Sequence, residues 1–124
     1  ISRLAECIQA AREDIDASGL QAAIVGHVGD GHYHVVFVLD PNAPDEMRRA
    51  LDVHERMVHK SISVEGTCSG EHGVGQGKAK FLELEHGVEG VEVMRAVKHS
   101  LDPKGIMNPG KIIDAPAPTY GHSF

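Results

Sequence analysis

The sequence predicts an α+β fold, an antiparallel sheet with helices on one face. Three observations carry this expectation. Apolar residues recur at helical spacing in three stretches, two apolar, β-branched runs flank a Gly-Asp-Gly turn signal, and the order helix, strand, strand, helix, strand, helix is that of an α+β chain. In the first stretch Leu4, Ile8, Ala11 and Ile15 line one helical face, and Gly19 ends it. Ala22 to Val28 and Tyr33 to Leu39 read as the strands of a hairpin around Asp30-Gly31. After Pro41 and Pro44, residues Asp45 to Ile62 return to helical periodicity through Met47, Leu51, Met57 and Val58. Ser63 to Thr67 reads as a further short strand. Glycines 66, 70, 73, 75 and 77 then mark a loop whose backbone comes close to something. A last helix is predicted over Val88 to Leu101, after which Pro103, Gly105, Pro109 and Gly110 break the chain. Residues 1–113 are expected to form one domain, and the Ala/Pro-rich residues 114–124 a flexible tail.

Composition bounds what such a chain can do. At 124 residues, 41% hydrophobic and 24% charged, it can bury one modest core. The net charge of −6, with no clustering of Lys or Arg, excludes a nucleic-acid footprint. No apolar run approaches the roughly 20 residues that span a bilayer, and nothing near Ile1 has the layout of a signal peptide. A soluble, cytoplasmic protein is expected. The chain opens at Ile1 inside an amphipathic pattern, as a piece of a longer protein would. Cys7 and Cys68 lie far apart, which fits reduced thiols better than a disulfide framework.

The informative segment is Gly26-His27-Val28-Gly29-Asp30-Gly31-His32-Tyr33-His34. If Asp30-Gly31 is a two-residue turn, His27 faces His34 and His32 faces Gly29, all on one side of the hairpin. Opposed Cβ atoms in such a pair are about 4.5–5.5 Å apart, close enough for two imidazoles to share one metal ion. The alternative is three solvated histidines on a sheet edge, and the hairpin by itself leaves both open. His32 is then an extra ligand or a pocket wall. The second cluster is Glu65-Gly66-Thr67-Cys68-Ser69-Gly70-Glu71-His72-Gly73-Val74-Gly75. A carboxylate beside an imidazole on a Gly-rich loop can supply a third metal ligand through Glu71 and a general base through His72. Neighbouring side chains seldom point the same way, which suits Glu71 facing the metal and His72 the substrate. A solvated surface loop is its bland counterpart.

Three look-alikes fail on spacing. In His54-Glu55-Arg56-Met57-Val58-His59 the second histidine comes five residues after the first, not the four of a zinc-protease helix. Gly77-Lys78 is followed by Ala79, and His72 stands where a phosphate-binding loop needs its first glycine. Gly73-Val74-Gly75-Gln76-Gly77 lacks the spacing of a dinucleotide fingerprint. His54, His59, His86 and His99 are therefore read as helix-surface residues, and Cys68 as a small loop residue.

GHVGDGHYH, EGTCSGEHGVG and LDPKGIMNPGKI, in that order, resemble the C-terminal region of the FAD-linked oxidase family of D-lactate dehydrogenases, D-2-hydroxyglutarate dehydrogenases and the glycolate oxidase flavin subunit. The resemblance spans about Leu20 to Ile113. It implies the ferredoxin-like half of that family's cap domain. It implies a divalent metal, zinc or one like it, on His27, His34 and Glu71, with His72 as the catalytic base. It places Asn108 and Gly110 against FAD, which an N-terminal domain outside this sequence would mainly hold. His32 stands where the family has Asn, and so departs from the pattern.

The activity so implied is oxidation of a small D-2-hydroxyacid to the 2-oxoacid. His72 takes the hydroxyl proton, hydride passes to FAD, and a quinone, cytochrome or electron-transfer flavoprotein reoxidises the flavin. Val36, two residues beyond His34, shares its face and with Val38 makes an apolar wall, which favours a D-lactate-like substrate over 2-hydroxyglutarate. The chain alone is expected neither to hold FAD tightly nor to turn over. Exposed apolar edges are expected to be paired by partners or copies, a homodimer among them. Two other classes remain open, a non-catalytic metal-binding or dimerisation module and a zinc-dependent hydrolase.

Overall fold

The computed structural model describes residues 1–113, so the expected tail at 114–124 lies outside them. The chain divides into two compact units, Ile1–Gly66 and Thr67–Phe124. The described elements, three helices and a two-stranded antiparallel sheet, make the α+β fold that the sequence predicts.

The first unit holds α1 (Leu4–Ser18), β1 (Gln21–His27), β2 (His32–Val38) and α2 (Pro44–Ser63). Cys7, Ala11 and Ile15, four residues apart, form the buried stripe of α1. Gly19 closes that helix in the left-handed conformation, φ 69°, donating its N–H to the Asp16 carbonyl. Pro44 opens α2, where its missing N–H costs nothing, and Asp45 and Glu46 in the first turn suit the positive end of the helix dipole. α1 and α2 run antiparallel, since Asp14 pairs with Arg56 at 2.7 Å and Glu6 pairs with Lys60. Such half-exposed pairs contribute about 0–1 kcal/mol each. Burial of Ile15 (1% exposed) and Val53 (0%) outweighs them, at roughly 1.5–3 kcal/mol per side chain.

The hairpin has two unlike faces. Ala22, Ile24, Tyr33, Val35 and Phe37 are half-buried on the inner face, and α1 packs against β1. Burial pushes the Tyr33 hydroxyl up to about 12, with the Cys7 thiol of α1 adding to it. The other face carries His27, His32 and His34 and the exposed Val25, Val36 and Val38. Strand bounds differ by a single residue from those read in the sequence.

The short strand expected over Ser63 to Thr67 does not form. α2 runs on to Ser63 and closes in a Schellman motif. Gly66 N–H donates to the Ser61 carbonyl at 2.8 Å and Glu65 N–H to that of Ile62 at 3.0 Å. Glu65 takes the left-handed conformation, φ 63°, that glycine usually fills. Gly66 is still required one position later, because a Cβ there would sit 2.8 Å from the Ser61 carbonyl oxygen.

In the second unit, residues 67–78 form no helix or strand, as the glycines indicated. A 3₁₀ turn, Ala79–Phe81, leads into α3 (Leu82–Leu101). The helix thus starts six residues before the expected Val88, but Gly87 breaks it with φ 73° and ψ 164°, a conformation essentially confined to glycine. The uninterrupted part is the stretch from Val88 that periodicity picks out. Among the described residues, no helix is long and apolar enough to cross a membrane.

Candidate functional site

The three hairpin histidines come together, although not in the expected register. His27 pairs with His32, and His34 with Val25. A two-residue type I′ turn would need positive φ at both Asp30 and Gly31. Only Gly31 has it, at 74°, while Val28–Asp30 form a 3₁₀ turn capped by the Gly31 N–H on the Val28 carbonyl at 3.2 Å. The loop is therefore four residues long, and the pairing slips by two from the expected one. Because side chains alternate faces with a period of two, that slip leaves all three imidazoles on the outer face. Gly26 allows the strands their close approach beside them, since a Cβ there would lie 2.4 Å from the His32 carbonyl oxygen.

Ring centroids are 6.1 Å apart for His27 and His32, 6.5 Å for His27 and His34, and 4.4 Å for His32 and His34. Two imidazoles bound to one ion through bonds near 2.1 Å have centroids about 5 Å apart. The observed spacings bracket that value, and imidazole nitrogens are donors that suit zinc or a similar divalent ion. His27 is exposed, His32 and His34 half-buried, and Val36 continues the face at 54% exposure.

In the second unit Gly73 N–H donates to the Gly70 carbonyl at 2.9 Å, which puts Glu71 and His72 at the crest of one tight turn. Their tips meet, with His72 Nε2 3.5 Å from Glu71 Oε1, and do not diverge as expected for neighbours in sequence. The cause is the turn, whose two central side chains project from the same crest. His72 is 76% exposed and Glu71 49%. Cys68, just upstream, is more than a small loop residue. It is 3% exposed, and burial followed by the nearby Glu85 carboxylate pushes its thiol up to about 11. Both cysteines are free.

The Asn108 segment is fixed by two residues that the sequence did not single out. Asp102, 3% exposed, accepts the Lys98 ammonium at 2.5 Å, the Met107 N–H at 2.9 Å and the Ile106 N–H at 3.0 Å. Lys98 also donates to the Met107 carbonyl at 2.6 Å. The Lys98 bond leads the causes that hold the Asp102 carboxyl below its ordinary range. The loop so closed presents Asn108 at φ 46° and Gly110 at φ 68°, and Ile112 N–H donates to the Gly75 carbonyl at 2.8 Å. An exposed amide and open backbone of this kind suit hydrogen bonds to a polar cofactor edge. The only sequence signal for the lock is a lysine four residues before an aspartate at a helix end.

A depressed carboxyl stabilises the fold above its unfolded-state value, and the contribution is lost as pH falls through the folded value. Asp102→Asn is therefore expected to lower the thermal midpoint at neutral pH. It should also flatten the loss of stability between about pH 5 and pH 2. Melting curves of wild type and variant across that range check this.

These elements define an α+β module that presents imidazoles on a sheet face and a carboxylate–imidazole pair on a turn. A family model described as FAD linked oxidases, C-terminal domain, matches residues 1–112, and the chain belongs to that family. It is 45% identical over 91% of its length to "D-lactate dehydrogenase [cytochrome], mitochondrial" of Arabidopsis thaliana, of which it covers 20%. It is 36% identical over 90% of its length to "Glycolate oxidase subunit GlcD" of Bacillus subtilis, covering 24% of that protein. Over 73% of its length it is 40% identical to "D-2-hydroxyglutarate dehydrogenase" of Stutzerimonas stutzeri, covering 20%. The chain thus spans about a fifth to a quarter of these relatives.

Proposed function

We propose that this chain is the substrate- and metal-binding part of an FAD-dependent dehydrogenase that oxidises a small D-2-hydroxyacid, D-lactate or one close to it, to the 2-oxoacid. Family membership and the relatives' names supply the reaction class. The single observation that carries the substrate is the outer hairpin face. There the three imidazoles run on into Val25, Val36 and Val38, and no Lys or Arg stands among the outward positions of β1 and β2. A one-carboxylate substrate fits such a wall. One with a second carboxylate needs a cation that these strands do not offer.

His27, His34 and Glu71 are the proposed ligands of a divalent ion, zinc by its preference for nitrogen and carboxylate donors, with Asn108 and Gly110 at the edge of the flavin site. When bound, the ion supplies Lewis acidity to the substrate oxygens and FAD the hydride acceptor. The chain's own residues do the rest. His72 receives the hydroxyl proton on an imidazole nitrogen, and its exposure leaves it open to substrate. Glu71, with one oxygen 3.5 Å from His72 Nε2, brings the carboxylate of the set beside the base. His32 and Val36 wall the substrate. A cytochrome is the favoured electron acceptor, since plant and yeast relatives carry it in their names; they are also named mitochondrial, which places them outside the cytoplasm expected from the sequence.

Anaerobic mixing of the full-length, flavin-loaded protein with D-lactate, glycolate and D-2-hydroxyglutarate tests this reading. Fastest bleaching by D-lactate is expected. Faster bleaching by D-2-hydroxyglutarate would remove the substrate assignment, and no bleaching by any of them the reaction class.

A further inference from the structure

Little packs against the glycines of the loop that bears Glu71 and His72. A Cβ built at Gly73, Gly75 or Gly77 would have nothing within 4 Å, and Glu71 and His72 are both exposed. The upstream end of the same loop is different. Cys68 N–H donates to Glu85 Oε2 at 2.8 Å, and the Thr67 hydroxyl and Cys68 thiol donate to the same carboxylate. The Thr67 oxygen accepts the Ser69 N–H at 3.2 Å, and the Thr67 and Ser69 hydroxyls lie 3.3 Å apart. One carboxylate thus holds Thr67 and Cys68 directly and Ser69 through Thr67, and the Gly70–Gly73 turn begins at the next residue. Glu85 itself is firmly seated. Its side chain is 12% exposed, and it lies on the short helical segment before the Gly87 break, anchored by Phe81 (3% exposed) and Leu82 (4%).

We propose that Glu85 is the positioning residue for the base, fixing the start of the loop so that the turn presents His72 in one direction. The proposal rests on the reading of His72 as the base. The carboxylate form matters because it accepts at both oxygens, up to about four lone-pair sites. A glutamine keeps one acceptor oxygen and turns an NH₂ toward a donor, so it should rescue only in part. Burial pushes the Glu85 carboxyl up, but the bonds from Cys68 and Thr67 outweigh it, and the carboxyl stays below its ordinary range and ionised.

The test uses the full-length flavin-loaded protein carrying Glu85→Ala, Glu85→Gln or, as control, Glu83→Gln on the same segment. The substrate is whichever of D-lactate, glycolate and D-2-hydroxyglutarate bleaches its flavin fastest. A misplacement of about 1 Å costs on the order of 100-fold in rate. Glu85→Ala is therefore expected to lower kcat by about 30–100-fold with KM changed less than about threefold. Glu85→Gln should recover part of that loss, and Glu83→Gln should match wild type. A general loosening of the fold would move KM and the thermal midpoint together with kcat, and that pattern overturns the proposal. So does a wild-type kcat in Glu85→Ala. Should Glu85→Ala fail to fold, Glu85→Gln is judged by the same split. His72→Ala, run beside them, separates the two failures. An active His72→Ala removes the base and this proposal with it, whereas an inactive one beside a wild-type-like Glu85→Ala overturns only the role of Glu85.

Discussion

Replacing His72 by alanine in the full-length flavoprotein is expected to slow flavin reduction by about 10²–10⁴-fold, the usual share of a positioned general base. Flavin content and the thermal midpoint should stay near wild type. The reason lies in where the side chain sits. His72 is 76% exposed at the crest of a turn whose backbone bond, Gly73 N–H to the Gly70 carbonyl, does not involve the ring. Removing the imidazole therefore takes away the proposed base and leaves that backbone bond in place. Stopped-flow bleaching under saturating substrate reads the step directly. A reduction rate within threefold of wild type would leave His72 a solvated loop residue.

The second large effect is expected at His34. If His27 and His34 hold the ion with Glu71, His34→Ala should weaken zinc binding by more than the 10–100-fold that losing an outer-shell partner costs. His32→Ala should fall within or below that range, although its ring is only 4.4 Å from that of His34. Competition against a chelating dye measures both without reference to turnover. Equal losses at His32 and His34 would make His32 a ligand as well.

How far these sites were legible depends on what each residue's geometry rests on. Helix faces were readable only in part: of the face expected on α1, Ala11 and Ile15 are buried, Leu4 and Ile8 are half-buried, and Cys7 joins the stripe instead, while Met47 of the face expected on α2 is exposed. The shared face of the three histidines was readable because period two survives an even slip in register. The slip itself was not, because Asp-Gly fits both a two-residue turn and the 3₁₀ turn that Gly31 caps. The false strand after α2 has a similar origin. A helix closed by Glu65 in the left-handed conformation, with its glycine one position later, has the β-branched composition of a short extended run. Glu85 and Asp102 stayed hidden because their roles depend on backbone donors several to many residues away in sequence, at Cys68, Ile106 and Met107.

The bond from Ile112 N–H to the Gly75 carbonyl joins the segment bearing Asn108 to the loop bearing His72. Two stretches tied at one point are not ordered independently. Whatever orders one has already met part of the cost of ordering the other. Any coupling between ligands held on the two sides would be reciprocal, each changing the other's affinity by the same factor. That single bond is thus a structural link through which the ordering of one loop bears on the other.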